Sequence, residues 1–426
     1  MRILILGAGV IGVTTAYYLA KSGIDVVVLD RRPSPAQETS FANGGQLSYA
    51  HAEPWSHPSL WSQLPRLLFS KHSPFKVSKP FDYKVWDWCV RFMAHANLKK
   101  NQESTDKIYQ LAMRSKEALH AIIDETSIEF DHNSNGKLHI FGTKAGYHIA
   151  VEEAKYKEHL GCEYELSDHN RCLEIEPALQ HHKKAIAGGV FYPDDEAGDI
   201  HQFTVRLADY CQRHLGVTFL FNQTITDIIH NNHAIEKIIT EQDELDFDAY
   251  VCCLGSFSGI FLDKLNIKHR IYPLKGYSLT IPYEDASLLP KVSVTVADQK
   301  YVCASLGTNL RVAGLAEMAG YNADFDEHSD MVSRFYQDVC DVFSQVRHID
   351  RQKIKYWSCL RSSTPDALPM IGTTSYDNLW LNTGQGTLGW TLSCGSAELL
   401  SKMMLESDGK GTGLSMGSKH NDAMVA

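Results

Sequence analysis

Three glycines near the N-terminus have the spacing of a turn that binds the phosphates of a dinucleotide. Gly7, Gly9 and Gly12 follow an apolar run at residues 3–6, which is typical of a strand buried on both faces of a parallel sheet. In this GxGxxG pattern the first glycine permits the tight turn, the second lets the backbone approach a pyrophosphate, and the third lets helix and strand pack closely. The helix predicted from Ile11 to Lys21 then offers free N–H groups and a positive dipole to the phosphates.

An acidic residue completes this nucleotide pattern. A second apolar run at residues 26–29 ends in Asp30, whose carboxylate can accept hydrogen bonds from an adenosine ribose and disfavours a 2′-phosphate. A strand, a glycine turn, a helix and an acid in this order predict dinucleotide binding, against the alternative of a packing turn without a ligand.

A second glycine-rich turn lies near the C-terminus. An apolar run at residues 379–382 is followed by Gly384, Gly386 and Gly389, and then by a helix predicted over residues 391–404. One such turn is normally enough for an NAD fold. In a flavoprotein, a second helix N-terminus can face the edge of the flavin ring that gains negative charge on reduction. The second turn therefore favours a flavin.

Two further segments agree with a flavin. Residues 39–48 are small and hydroxylic around Gly44 and Gly45, so this loop can follow a flat ring closely, although a solvated loop would have the same composition. Residues 248–259 predict a strand that ends at Gly255 and returns the chain to the nucleotide. Three glycine-bearing strand ends, spread along the whole chain, favour FAD over NAD.

The composition restricts the class of protein. The chain has 426 residues, of which 44% are hydrophobic and 22% charged, and this indicates a globular protein of two or three domains. A net charge of −10 provides no basic field for nucleic acid, and no apolar run reaches the roughly 18 residues that span a bilayer. The ten cysteines are scattered without metal-site spacing, so we expect reduced thiols in a cytoplasmic protein and no metal site.

Seven sequence blocks together resemble one enzyme family. In chain order they read GAGVIG, ETSFANGGQLS, EIEPAL, YPDDEAGD, YPLKGYSLTI, LRSSTPDALPMIG and LWLNTGQGTLGWT. On these blocks the sequence resembles the FAD-dependent D-amino-acid oxidase superfamily, most closely the bacterial D-amino-acid dehydrogenase small-subunit group. The blocks extend along nearly the whole chain. The combination of KGYSLTI, TPDALP and NTGQGTLGWT is specific to this group, whereas GAGVIG is shared by many families.

The resemblance implies an α/β fold with a discontinuous, Rossmann-like FAD-binding domain and an α+β substrate domain that contains an antiparallel sheet. The FAD-binding domain is expected to combine residues 1–50, 199–262 and 355–405. The substrate domain is expected to combine residues 51–198 and 263–354. The tail, residues 406–426, is small and polar and is expected to be disordered.

The resemblance also places the cofactor. The glycines of the first turn and Asp30 match positions that bind ADP, Ser40 and residues 43–47 match the stretch beside the flavin ring, and residues 386–391 match the turn at its pyrimidine edge. The full set of expected cofactor-binding residues is Gly7, Ala8, Gly9, Val10, Ile11, Gly12, Asp30, Arg31, Arg32, Ser40, Asn43, Gly44, Gly45, Gln46, Leu47, Ile225, Gly255, Ser256, Gly384, Gly386, Thr387, Leu388, Gly389, Trp390 and Thr391.

The implied reaction is the oxidative deamination of D-amino acids to 2-oxo acids and ammonia. A hydride passes from Cα to flavin N5, and the electrons pass on to a respiratory, quinone or artificial acceptor. Two other functions stay open. One is an oxidase that uses O₂ on glycine, sarcosine or a D-amino acid, and the other is a non-catalytic FAD-binding subunit.

Three residues are candidates for the substrate site. Arg361 matches the arginine that grips the substrate carboxylate, since a guanidinium fork binds a carboxylate through two parallel hydrogen bonds; a structural arginine is the alternative. Tyr277 is interpreted as a phenol of the substrate pocket or as a core tyrosine. Lys275 is interpreted as a group near the flavin or as one partner of an ion pair.

Four residues depart from the usual family pattern. Gln385 stands where the family usually has histidine, and Cys359, Ser362 and Ala367 replace glycine, proline and glycine. These changes are expected to affect flavin tuning and loop rigidity more than the fold, and they are compatible with a shifted substrate preference.

Residues 51–100 have an unusual composition. They hold four of the seven tryptophans, and eight Lys or Arg against three Asp or Glu, in a chain whose net charge is −10. This mixture of aromatic, aliphatic and basic residues is typical of a segment on an anionic lipid surface. A dehydrogenase that reduces a quinone would need such a contact at the inner face of the plasma membrane. A lid over the substrate domain is the alternative.

Overall fold

Two large β-sheets with packed helices organise the chain. The structure is a computed structural model that describes residues 1–61, 73–326 and 329–409. Its strands are β1 (Arg2–Leu6), β2 (Asp25–Leu29), β3 (Gln46–Leu47), β4 (Phe75–Val77), β5 (Lys137–Phe141), β6 (Glu165–Ser167), β7 (Gly188–Tyr192), β8 (Glu196–Ala197), β9 (Thr218–Leu220), β10 (Ile225–His230), β11 (Ile235–Thr240), β12 (Glu244–Leu245), β13 (Ala249–Cys252), β14 (Tyr272–Pro282), β15 (Ser293–Val296), β16 (Tyr301–Leu306), β17 (Asn309–Met318), β18 (Lys355–Ser363), β19 (Met370–Thr373) and β20 (Leu379–Thr383). Its helices are α1 (Val10–Lys21), α2 (Tyr83–His95), α3 (Leu98–Thr126), α4 (Lys144–Tyr156), α5 (His169–Ile175), α6 (Ile200–His214), α7 (Ser258–Lys264), α8 (Asp330–Val342) and α9 (Ser393–Gly409).

The first sheet has six strands in the order β19-β20-β13-β1-β2-β9, and all of its pairs except β19 with β20 are parallel. Its strand β1 is buried on both faces. Ile3 and Ile5 pack in one hydrophobic core, whereas Leu4 and Leu6 pack in another. This double burial is the reason why the strand is apolar throughout instead of alternating.

Helix α3 packs on this first sheet. Its residues Ile108 and Ile122 belong to the same hydrophobic core as Ile3, and the helix lies against α9. The prediction that assigns residues 51–198 to the substrate domain is therefore wrong for α3. An amphipathic helix packs wherever its apolar stripe finds a partner, however distant that partner is in sequence.

The second sheet is mixed, in the order β18-β14-β17-β16-β15-β5-β7-β6, with β4 beside β17. Most neighbouring strands are antiparallel, but the pairs β15–β5 and β17–β4 are parallel. The sheet that we expected to be antiparallel is therefore mixed. Residues 355–363 form β18 and pair with β14, although the sequence analysis assigns them to the FAD-binding domain. The pattern of a single strand does not reveal which sheet it joins.

The two faces of the second sheet differ in polarity, and we call them the front face and the back face. On the back face, Leu279 and Val312 belong to a closed hydrophobic core beneath α8. The strand register places Ser278, Ala313 and His139 on the front face, because they alternate with the core residues. The front face looks towards the first sheet.

The remaining features concern the termini and the thiols. Helix α9 continues to Gly409, so the prediction of a disordered tail is wrong for residues 406–409, and residues 410–426 lie outside the described residues.

All ten cysteines fall in the described part of the chain and are free thiols, as predicted. None of the described helices combines the length and the hydropathy that crossing a membrane requires.

Ala367 is strained, and we expect Ala367→Gly to stabilise the protein. Its φ of 62° lies in the left-handed region, and it replaces a usual family glycine. A Cβ in this conformation costs about 1–2 kcal/mol, and the greater unfolded-state entropy of glycine offsets part of that cost. We expect the free energy of unfolding to rise by about 0.5–1 kcal/mol, as measured by urea unfolding. Ala118→Gly within α3 is the control and should destabilise. A lower stability of Ala367→Gly would contradict the strain.

Candidate active site

A cavity of about 680 Å³ lies where the two sheets face each other. The carboxyl ends of the parallel strands form one wall, with Gly7 after β1, Asp30 after β2 and Leu254 after β13. The front face of the second sheet forms the opposite wall. Open α/β sheets bind ligands outside the carboxyl ends of their strands, and the volume is in the range of cofactor and small-molecule sites.

The N-terminus of α1 opens into the cavity, and the hydroxyl of Ser40 accepts a hydrogen bond from the N–H of Val10 in its first turn at 3.0 Å. Gly9 is the N-cap, and the first turn holds no acid, so the positive end of the helix is available to a phosphate. Gly7 has a φ of 107°, and a Cβ there would lie 2.6 Å from the carbonyl oxygen of Cys253. A Cβ on Gly12 would lie 1.8 Å from the oxygen of Gly7. The turn therefore requires glycine at positions 7 and 12 and fits a pyrophosphate.

Asp30 closes this turn from the end of β2. Its Oδ2 accepts a hydrogen bond from the N–H of Ala8 at 2.7 Å, and its Oδ1 accepts one from the N–H of Arg32 at 2.8 Å. Burial raises the pKa of the carboxyl, and the two N–H groups oppose this shift. A carboxylate accepts about four hydrogen bonds, so Asp30 keeps acceptor capacity for ribose hydroxyls.

The C-terminal glycine turn also lines the cavity. After β20, a 3₁₀ turn at Gly386–Leu388 precedes α9. The hydroxyl of Thr391 accepts a hydrogen bond from the N–H of Ser48 at 2.9 Å, which ties this turn to the small-residue loop. Gln385, which replaces the usual histidine, is buried and donates to Oδ1 of Asn382 at 2.7 Å. The glutamine therefore holds the base of the turn through a neutral hydrogen bond.

Arg361 places a guanidinium in the cavity wall. Its side chain lies across Gly276 of β14, where a Cβ would be 2.3 Å from the guanidinium carbon. Nη1 donates to the carbonyl of Leu315 at 2.8 Å, and Nη2 donates to that of Gly314 at 3.3 Å. No acidic side chain among the described residues lies within ion-pair distance, and burial lowers the pKa of the guanidinium. An enclosed cation with spare donors and no counter-ion suits a carboxylate ligand.

Comparisons with known proteins agree with this geometry. The family model described as DAO, FAD dependent oxidoreductase, matches residues 2–403. The chain belongs to this family. A D-amino acid dehydrogenase of Chromohalobacter salexigens is 37% identical over 404 residues, which cover 95% of this chain and 96% of that protein. A D-amino acid dehydrogenase of Rhizobium rhizogenes is 39% identical over 411 residues, with 95% and 96% coverage.

Solved structures share the fold of this DAO family member. Glycine oxidase from Geobacillus kaustophilus superposes with a TM-score of 0.75 at 17% identity and covers 95% of this chain and 94% of its own. L-proline dehydrogenase from P. horikoshii gives a TM-score of 0.73 at 15% identity, with 95% and 93% coverage. The protein is an FAD-dependent oxidoreductase, and the predictions of an α/β fold and of FAD as its cofactor are confirmed.

Most residues predicted to bind FAD line the cavity of this DAO family member. They are Gly7, Gly9, Val10, Ile11, Asp30, Arg31, Ser40, Asn43, Gly44, Gln46, Ile225, Gly255, Ser256, Gly386, Thr387, Leu388, Gly389, Trp390 and Thr391. Those that do not line it are Ala8, Gly12, Arg32, Gly45, Leu47 and Gly384. Two of these six residues have other contacts. Leu47 is buried in the core of the first sheet, and Arg32 forms an ion pair with Glu38 at 2.6 Å. Contact between each residue and FAD stays a prediction.

The other two catalytic candidates both contact Glu317, and of the two Tyr277 lines the cavity. The ring of Tyr277 packs in the back-face core, and its hydroxyl donates to Glu317. Lys275 does not line the cavity; its ammonium donates to the carbonyl of Asp324 and lies 4.0 Å from Glu317. The core alternative describes the packing of the Tyr277 ring, and the ion-pair alternative describes Lys275. A catalytic role of Tyr277, which lines the cavity, stays a prediction, whereas the structure does not place Lys275 in the cavity lining.

One group of cavity residues was not identified from the sequence. His51, Glu53, Lys137, His139, Glu153 and Lys300 line one end of the cavity. A signal existed in β5, where Lys137 and His139 alternate with Leu138 and Ile140, the pattern of a strand with one polar face. A polar face usually meets solvent, and only the tertiary structure shows that this one borders an enclosed site.

A second polar cluster lies outside the cavity lining. The imidazoles of His120 and His132 lie 2.8 and 2.9 Å from the two carboxylate oxygens of Glu196, and these three groups could hold a metal ion. The hydrogen bonds to the imidazoles lower the pKa of the buried Glu196 against the effect of burial. The two hydrogen bonds to Glu196 explain why the two imidazoles lie beside it. The expected absence of a metal site stays a prediction.

Proposed function

We propose that this FAD-dependent oxidoreductase deaminates D-amino acids oxidatively to 2-oxo acids and ammonia. The observation that carries the proposal is the uncompensated guanidinium of Arg361 in the wall of the FAD cavity. The relatives named D-amino acid dehydrogenase support the D configuration and an acceptor other than O₂.

Arg361 has the binding role in this proposal. Its guanidinium binds the α-carboxylate through two parallel hydrogen bonds, while the carbonyls of Leu315 and Gly314 hold it in place. FAD, when bound, supplies the two-electron acceptor for the hydride of the substrate Cα. Ala313 and Val302 give the facing wall an apolar surface that excludes water. The chain provides positioning more than acid–base chemistry.

An anaerobic bleaching panel tests the proposal. We expect D-amino acids to bleach the flavin absorbance of the purified holoprotein and their L-enantiomers to leave it unchanged. Turnover with an artificial acceptor should yield little peroxide in air. A large peroxide yield would favour the oxidase alternative, and failure of every D-amino acid to bleach the flavin would favour the non-catalytic one.

We also propose that residues 73–100 dock on an anionic lipid surface, where a quinone would accept the electrons. The supporting observation is a group of exposed apolar side chains on and before α2, with Phe81 fully exposed, Tyr83 at 74% and Val90 at 69%. Basic residues flank them, and the local charge is positive in an acidic protein. The segment 62–72, which belongs to the same sequence prediction, lies outside the described residues.

Vesicle pelleting tests the docking surface. We expect the protein to sediment with vesicles of anionic phospholipid at low salt, and the bound fraction to fall to the background level when Phe81, Trp86 and Val90 are changed together to serine, because each buried apolar side chain contributes about 1.5–3 kcal/mol. The control changes Leu166 and Ile229, two exposed apolar residues elsewhere, to serine. Equal sedimentation with and without vesicles would contradict membrane docking and would favour the alternative, a lid over the substrate domain.

A further inference from the structure

The cavity has a charged end that the FAD-binding residues do not account for. It consists of His51, Glu53, Lys137, His139, Glu153 and Lys300. Lys137 and His139 are buried, His51, Glu53 and Glu153 are half-buried, and Lys300 is exposed at the rim; charged groups are costly to bury unless they are paired. Their concentration in one part of an otherwise largely apolar wall indicates that this end receives a polar group of a ligand.

Two ion pairs in the charged end are already balanced. Lys137 lies 2.8 Å from Asp195, and both side chains are almost completely buried. Glu53 accepts a hydrogen bond from the buried ammonium of Lys157. These pairs fix the wall and add no net charge, so the charge that a ligand meets comes from the other groups.

The remaining groups leave a surplus of positive charge. Burial and the charge of Glu53 raise the pKa of Glu153 to about 8, so this carboxyl is mostly protonated in neutral solution. The charge of Lys300 opposes this shift, because it lowers the pKa of Glu153. No described carboxylate lies within ion-pair distance of the Lys300 ammonium. Burial lowers the pKa of His139 well below the ordinary value, and the ammonium groups of Lys137, Lys157 and Lys300 act in the same direction. An anion at this end would be stabilised.

The strand register brings the backbone of Lys300 close to the strand that holds Arg361 in place. The carbonyl of Gly314 accepts a hydrogen bond from Arg361, and Gly314 pairs with Tyr301 on the next strand, directly after Lys300. Both side chains line the same cavity. A dicarboxylic amino acid carries two carboxylates, so one of them has a partner in Arg361 and the other has a partner in Lys300.

We infer that the charged end is a subsite for the substrate side chain and selects amino acids whose side chains end in a carboxylate. Lys300 supplies the opposite charge, and the imidazole of His51, whose Nδ1 lies 3.5 Å from Glu53, lines the same end. The inference rests on the proposed deamination of D-amino acids and names the substrate class of that same site.

The test compares D-glutamate with D-methionine, which has a similar length and no charge, and with D-lysine. We expect kcat/KM of the holoprotein for D-glutamate to exceed that for D-methionine about threefold, and Lys300→Met to abolish this preference, because an exposed ammonium attracts a carboxylate through a charge that water partly screens. Lys300→Arg should retain most of the preference. The matched control is Lys291→Met, an exposed lysine of the same region that does not line the cavity.

The outcomes separate the subsite from the proposed function. If D-methionine bleaches the flavin but D-glutamate reacts more slowly, or if D-lysine is preferred, the subsite inference is overturned and the proposed function stands. An unchanged ratio of D-glutamate to D-methionine in Lys300→Met also overturns it. If no D-amino acid reacts, the proposed function itself fails. Flavin absorbance of each variant verifies that the cofactor site is folded.

Discussion

Replacement of Arg361 by glutamine is expected to lower kcat/KM for D-amino acids about a thousandfold, because truncation of one partner of a buried charge pair typically costs 2–5 kcal/mol or more. The guanidinium has no acidic partner among the described residues, so we expect the substrate carboxylate to be its counter-ion. Most of the loss should appear in KM, since the interaction exists before and during the reaction. Steady-state assays with an artificial acceptor measure both constants.

Two further variants make the Arg361 prediction specific. Arg361→Lys keeps the charge but loses the planar fork, and we expect it to recover only a part of the lost kcat/KM. Arg270→Gln removes a half-exposed arginine that lies 3.6 Å from Asp366 and should leave kcat/KM within about threefold of wild type. All variants should retain the flavin spectrum. Full activity of Arg361→Gln would mean that the arginine is structural.

The cofactor site could be predicted from sequence because its determinants are local. Gly7, Gly12 and Asp30 belong to one strand–helix–strand unit, so their spacing along the chain fixes their arrangement in space. The second glycine turn was recognisable for the same reason. Which strands lie beside each other was not predictable in this way, and β18 and α3 both pack against elements other than those expected.

The substrate wall was harder to predict because a strand pattern does not identify its own front face. Lys275 and Tyr277 occupy a segment in which nearly every residue is buried, so no alternation distinguishes the two faces. A bulge against β17 lies between them, and both side chains meet Glu317 on the back of the sheet. The residue of this segment that lies beneath the guanidinium of Arg361 is Gly276, and a glycine has no side chain that would mark it as part of a site.

Gly276 supports the second large prediction. The guanidinium of Arg361 lies directly over this glycine, where a Cβ would be 2.3 Å from the guanidinium carbon. We expect Gly276→Ala to displace the guanidinium and lower kcat/KM about a hundredfold, because a shift of about 1 Å in a positioning group can cost that much. The backbone at Gly276 does not have a positive φ, so the methyl group adds no backbone strain of its own.

A double-mutant cycle shows whether Gly276→Ala acts through Arg361. If the methyl group works by displacing the guanidinium, Gly276→Ala should cost less than about threefold in kcat/KM when Arg361 is already glutamine, since neighbouring residues that share one interaction are not additive. Additive losses would mean that the glycine serves the sheet and not the arginine. Thermal unfolding of the holoprotein gives the independent check, because a purely structural effect would lower the stability of both Gly276→Ala variants equally.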